Sequence, residues 1–410
     1  MKKSNLVALL ERWTELDVRY FLRGGAVLFS TQFILILSSF LLSVGFAHLT
    51  SKELFGQFQF VLAVLGTLSV LSLPGANTAV LLGVSQNKDG TLLQGVKLKF
   101  KWSILGILGL LVTAGYFYIR PSYESLWQVF LICMIFFPIL YSIDVTHSFF
   151  AGRKKFSWSC GFQLITEAGS AIAALISLFF TKNLLFIVGI YLLVQAIGDL
   201  LAFSFARKRM LNQRKDPEFN LYSFQLTLIN FIPYIKTFFD KIVVTYFLGF
   251  AATAIYTIGA AIAEQLYAVS KSVSMLVFPK LAEQKKGTLD FAVRKRIGLM
   301  FFFFIIVAGI GALLAPIIIP FFFSEQYSGA VLIAQLLLLV SIPRAVAFVL
   351  TKVQEVQREK QKLYRINAIY AGTEIIALIA LTPFYGMYGI VGAKALSNVV
   401  YLISAWRSLR

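Results

Sequence analysis

The chain is 410 residues long, with 58% of them apolar and 14% charged, against about 25% charged in a soluble domain. Lys and Arg number 38 and Asp and Glu 19, a formal net charge of +19. This composition excludes a soluble globular protein, a disordered chain and a secreted disulfide scaffold. It predicts an all-α integral membrane protein, because long apolar runs cross a bilayer only as helices.

Residues 1–23 read as an amphipathic segment on the cytoplasmic face rather than a signal peptide. Leu6, Leu9, Leu10, Trp13, Leu16 and Tyr20 recur at helical spacing, with Glu11, Arg12, Glu15 and Asp17 between them. Twelve spans of about 20 residues or more follow. They fall near 24–49, 55–82, 101–119, 127–150, 158–181, 184–206, 223–249, 252–278, 297–320, 328–350, 363–382 and 387–406. The polar stretch 207–222 contains Pro217 and falls at the middle of the chain. It predicts a cytoplasmic linker between an N-terminal six-helix bundle, 24–206, and a C-terminal one, 223–410. Leu54-Phe55-Gly56-Gln57-Phe58 and Thr253-Ala254-Ile255-Tyr256-Thr257 open the second helix of each half alike, as a weak parallel repeat.

Thirty of the basic residues fall at the termini and in alternate loops, and three, Lys52, Arg120 and Lys182, in the opposite loops. That asymmetry predicts cytoplasmic termini and accounts for the net charge without nucleic acid. No loop is long enough for a soluble domain. Cys133 and Cys160 lack metal-ligand spacing, His48 and His147 are far apart, and no phosphate-binding glycine loop is present. No residue set suggests catalysis, a cofactor or a metal.

The remaining charges lie inside spans. The first half carries Asp144, Glu167 and Asp199, with His147, and no buried cation is expected there. The second half carries Lys236, Lys241, Lys271, Arg344 and Lys394 against Asp240, Glu264 and Glu374. Ionisable groups at membrane depth face the bundle interior or a cavity. Span 7 is the densest, with Lys236 and Asp240 one helical turn apart and Pro233 a turn earlier, which predicts a bend. One reading is a cationic cavity for an anionic substrate, with lysines as point charges and Arg344 as a bidentate phosphate ligand. The other is mutual neutralisation, as between Lys236 and Asp240, with Lys271 and Arg344 snorkelling to the interface. Arg19 and Arg23 extend the cationic path or anchor span 1. Glu374, Asn398, Asp240 and Glu264 form one candidate set for Na⁺ or proton coupling, and Glu167 with Asp199 a second.

Several short runs carry a family resemblance. They are Leu54-Phe55-Gly56-Gln57-Phe58; Pro233 with Asp240, Gly249 and Ile255-Tyr256; Phe323-Ser324-Glu325-Gln326-Tyr327-Ser328-Gly329-Ala330; Pro343; and Pro383-Phe384-Tyr385-Gly386-Met387-Tyr388-Gly389-Ile390-Val391-Gly392-Ala393. With twelve spans, they make the chain resemble the O-antigen type (Wzx-like) polysaccharide repeat-unit flippases. These belong to the multidrug/oligosaccharidyl-lipid/polysaccharide exporter superfamily. Ser324 departs from the pattern, standing where glycine is common. The resemblance implies a V-shaped pair of six-helix bundles in the bacterial inner membrane, working by alternating access. It implies an undecaprenyl-diphosphate-linked oligosaccharide moved from the cytoplasmic to the periplasmic leaflet, coupling to an ion gradient, and other polysaccharide-assembly membrane proteins as partners. It offers Lys236, Lys241, Lys271, Arg344 and Lys394 as substrate-binding candidates. A multidrug extruder for organic cations is the rival. A membrane-embedded polymerase or ligase is a weaker one, because the outer loops carry too few polar groups for an active site.

Overall fold

The computed structural model describes residues 18–120, 126–282, 297–356 and 359–408, with most side chains from Val27 onward. Most of the amphipathic segment therefore lies outside the described residues. Among those described, every regular element is helical. The chain opens with α1 (Val18–Leu49) and α2 (Lys52–Leu68), which a 3₁₀ turn, Ser69–Ser72, prolongs. The Ser51 hydroxyl caps α2 by accepting from the Leu54 amide. Two compact units result. The first holds the chain up to Leu42 and Leu71–Leu228; the second holds Ser43–Val70 and Ile229–Arg410.

The first unit contains α3 (Gly75–Ser85), α4 (Thr91–Tyr118), α5 (Leu126–Ile143) and α6 (Val145–Gly152). It continues with α7 (Phe156–Gln163), a π-helical turn at Leu164–Ala168, α8 (Gly169–Phe180) and α9 (Leu184–Lys208). Ala76, Val80, Leu92, Val145, Phe149 and Phe150 form a core that draws in Phe219. Helix α4 begins ten residues before the expected span, so Lys97, Lys99 and Lys101 lie on it. Lys99 is only 1% exposed. The expectation that the first half lacks a buried cation is therefore overturned. A lysine is tolerated there because its ammonium reaches Asp144 at 2.6 Å and Asn77 at 2.8 Å.

The linker narrows to residues 209–218 and is pinned to the loop before α4. Asp89, fully buried, accepts from the Arg153 guanidinium and, at 2.7 Å, from the Leu211 amide. Asn212 accepts the Asp89 amide at 3.1 Å. Gln94 makes a reciprocal pair with the Asp216 backbone, and Lys88 reaches the Asp216 carboxylate at 3.2 Å.

The second unit contains most of α10 (Phe219–Leu248), α11 (Phe250–Ala282), α12 (Ile297–Phe323), α13 (Gly329–Val356) and α14 (Lys360–Ser408). Gly386, at φ 57° and ψ −133°, breaks α14 into two arms at the expected turn between spans 11 and 12. This is a conformation for which a Cβ is a hindrance. Helix α10 runs on through Pro233. Tyr256, Leu266, Leu337, Val346, Leu378 and Ile390 are among the core residues. Phe302, Leu313, Ile317 and Phe321 of α12 are exposed, as a lipid-facing surface requires.

The start of α2 locks onto this unit. A Cβ on Gly56 would fall 1.8 Å from the Phe250 carbonyl oxygen, so only glycine permits the approach of α2 to α11. Phe46 packs on Phe58 with ring centroids 4.5 Å apart, and Phe55 meets the edge of Tyr327 at 6.4 Å. Gln326 donates to the Ala47 carbonyl at 2.6 Å.

By length and apolar composition, nine helices among the described residues can cross a membrane, the last holding both arms of α14. Helices α10 and α11 fall outside that set because polar and charged groups interrupt their apolar surface. Counting these two and both arms of α14 restores twelve passages.

Candidate functional site: a charged cavity in the second unit

Helix spacing builds this site. Pro233, Lys236 and Asp240 lie on one face of α10. Glu264, Tyr267 and Lys271 share a face of α11, Leu337, Ser341 and Arg344 a face of α13. On α14, Asn367, Tyr370 and Glu374 face Lys394, Asn398 and Tyr401 from opposite arms. Together they line a cavity of about 660 Å³.

The five second-half cations proposed from the sequence line this cavity, as do Asp240, Glu264, Glu374 and Asn398. Five cations face three carboxylates, a formal +2. The pairing is not the local one. Lys236 lies 2.9 Å from Glu374, not on Asp240. Lys394 bridges Asp240 at 3.0 Å and Glu374 at 3.1 Å. Tyr256 donates its hydroxyl to the Asp240 carboxylate as well. Arg344 donates to Glu264 at 2.6 Å.

Two cations have no carboxylate partner among the described residues. Lys241 donates to the Gln59 amide oxygen at 2.9 Å, and Lys271 lies over the Tyr267 ring at 4.8 Å. The Arg344 guanidinium lies over the same ring at 4.1 Å, and Lys236 sits 3.7 Å from the Tyr370 ring centre. Tyr370 stacks on Tyr401 at 4.4 Å and donates to Asn398 at 3.2 Å. The aromatic faces thus serve cations and one another. Asn398 also donates to the Val340 carbonyl at 2.8 Å, so its amide is engaged at both ends.

The other candidates lie elsewhere. Glu167 and Asp199 belong to the first unit, Asp199 3.7 Å from His147 and Glu167 accepting from Gln163 at 2.9 Å. Arg19 and Arg23 lie on α1 where side chains are not described. The sequence reading missed Gln59, Tyr267, Tyr370 and Tyr401. The last three had a signal, since each sits three or four residues from a charged or amide residue on the same face. Gln59 had none, because its role depends on the approach of α2.

Comparison with known proteins places this architecture. Residues 21–285, well over half of the chain, match the family model described as "Polysaccharide biosynthesis protein". The chain belongs to this family. A relative from Shigella flexneri, named "Putative O-antigen transporter", is 26% identical over 188 residues. That match spans 44% of this chain and 43% of the relative, so it covers less than half of either. Among solved structures, the lipid II flippase MurJ in an inward closed conformation superposes with a TM-score of 0.72 at 18% identity, covering 93% of this chain and 87% of MurJ. An inward-facing multidrug resistance MATE family transporter gives 0.64 at 13% identity, covering 92% and 94%. These likenesses show that the chain shares the all-helical fold of these two proteins. The relatives are transporters and flippases rather than enzymes.

Proposed function

We propose that the protein is a flippase for an undecaprenyl-diphosphate-linked oligosaccharide. It carries the substrate from the cytoplasmic to the periplasmic leaflet of a bacterial inner membrane by alternating access, with both termini cytoplasmic. The observation that carries this reading is the excess of two positive charges around one cavity of the second unit. The family match and the named relatives support it. A diphosphate offers the charge that Lys241 and Lys271 lack, and it competes with Glu374 and Glu264 for Lys236, Lys394 and Arg344. A cavity of about 660 Å³ suits a diphosphate and its adjoining sugar rather than the whole lipid. An ion gradient drives the cycle.

The test is transport in proteoliposomes of the lipid-linked oligosaccharide against a cationic dye. The lipid-linked sugar moves and the dye does not. Lys236→Ala and Arg344→Ala each lower the rate about tenfold or more while the protein stays folded. Movement of the dye alone makes the chain an extruder.

A further inference from the structure

The first unit holds a second polar centre that the cationic cavity leaves unused. Five parts of the chain converge on it: Asn77 from α3, Lys99 from α4, Asp144 and His147 from the junction of α5 with α6, Glu167 from the π turn, and Asp199 from α9. The backbone is irregular around it. Asp144 separates α5 from α6, and the π turn interrupts α7 and α8. Broken helices at membrane depth occur where they serve an interior polar site, and π turns cluster at functional ones.

Its charges divide into two groups. Asp144 is satisfied, because Lys99 and Asn77 both donate to it, at 2.6 Å and 2.9 Å. Lys99 acts there as a tethered cation and leaves Asp144 no room for a free one. Asp199 has no such permanent partner. Among the described residues only His147 faces it within ion-pair distance, at 3.7 Å, too long for a hydrogen bond. The His147 Nδ1 atom is buried and has no hydrogen-bond partner among the described residues. The Asp199 side chain is 7% exposed and that of His147 26%, so the imidazole is the more accessible member. The charged groups near the pair are Glu167, Asp144 and Lys99. With His147 neutral this set carries a formal −2, opposite in sign to the cavity of the second unit.

In the second unit each carboxylate of the cavity already has a cationic partner. We propose that the coupling ion is a proton and that it is taken up in the first unit, by the His147–Asp199 pair. Proton uptake converts a neutral imidazole beside a carboxylate into an imidazolium–carboxylate pair, drawing α6 and α9 together. Release returns the proton to water and loosens them. This rests on the flippase reading for what the proton drives, though not for the proton site.

Two measurements test it, on the full chain. The chain has two histidines. In a His48→Gln protein labelled with ¹⁵N-histidine, His147 gives the sole imidazole signal. That signal titrates with pH, and Asp199→Asn shifts its midpoint. In proteoliposomes, an imposed proton gradient stimulates transport of the undecaprenyl-diphosphate oligosaccharide at least about tenfold, and His147→Gln and Asp199→Asn each reduce the stimulation below about twofold. An imidazole midpoint indifferent to Asp199→Asn overturns the proposal. So does a proton response that survives both substitutions, or a Na⁺ gradient that drives transport in its place. If the lipid is not transported at all, the flippase reading fails, and the titration still decides the proton site.

Discussion

Lys236 on α10 is held by Glu374 on α14, 2.9 Å away, although Asp240 stands one turn from it on its own helix. Asp240 is instead occupied by Lys394 and Tyr256. The pairs therefore tie helices together rather than decorate one. Glu374→Gln removes the carboxylate partner of Lys236 and one of the two partners of Lys394, both half-buried, and is expected to destabilise the protein by about 3 kcal/mol. Inorganic pyrophosphate should recover part of the lost thermal stability in this variant, and recover more than it adds to the wild type. Thermal unfolding in detergent, with and without pyrophosphate, checks both.

Lys394 and Lys271 differ in what they hold. Lys394→Ala takes from Asp240 its ion-pair partner and leaves Glu374 with Lys236 alone, whereas Lys271→Ala removes a contact with one ring. The first is expected to cost about 3 kcal/mol and the second under about 1 kcal/mol. Adding Asp240→Asn should return part of the Lys394→Ala loss. Thermal unfolding of the two single variants and the double variant separates these outcomes.

The departure at Ser324 has a conformational cost. Its backbone sits at φ 74° and ψ 154°, a region that essentially only glycine occupies. Ser324→Gly is expected to stabilise the protein by about 1 kcal/mol, since strain in the folded state outweighs the extra freedom of the unfolded chain. A higher unfolding temperature with unchanged transport is the result to look for.

Asp89 organises the linker from beneath. Asp89→Ala removes the acceptor of both Arg153 and the Leu211 amide. The expected loss is about 3 kcal/mol of local stability, with amides 209–216 exchanging hydrogen far faster than in the wild type. Hydrogen exchange read by mass spectrometry reports it segment by segment.

The helices were legible because apolar length is a local property, and the cavity residues because charge at membrane depth is rare. Thus Lys236, Lys241, Lys271, Arg344 and Lys394 could be named before any fold was known, and the fold places them around one space. Partner choice was not legible. Nothing near Lys236 in sequence announces Glu374, and nothing near Lys241 announces Gln59. Lys99 was misplaced because three lysines in five residues look like a loop, while helical spacing turns the middle one inward. The break at Gly386 was legible because proline and glycine mark turns by their own stereochemistry.

The segment Ser43–Val70 belongs to the second unit while being encoded before most of the first. Its Gln59 holds Lys241, and its Phe55 packs on Tyr327. A gene cut in the linker would therefore yield a C-terminal fragment missing a piece of its own interior. Co-expressed halves would assemble only by lending that hairpin across the cut, much as domain-swapped partners do. A C-terminal half with residues 43–70 grafted onto its front would be the version able to stand alone.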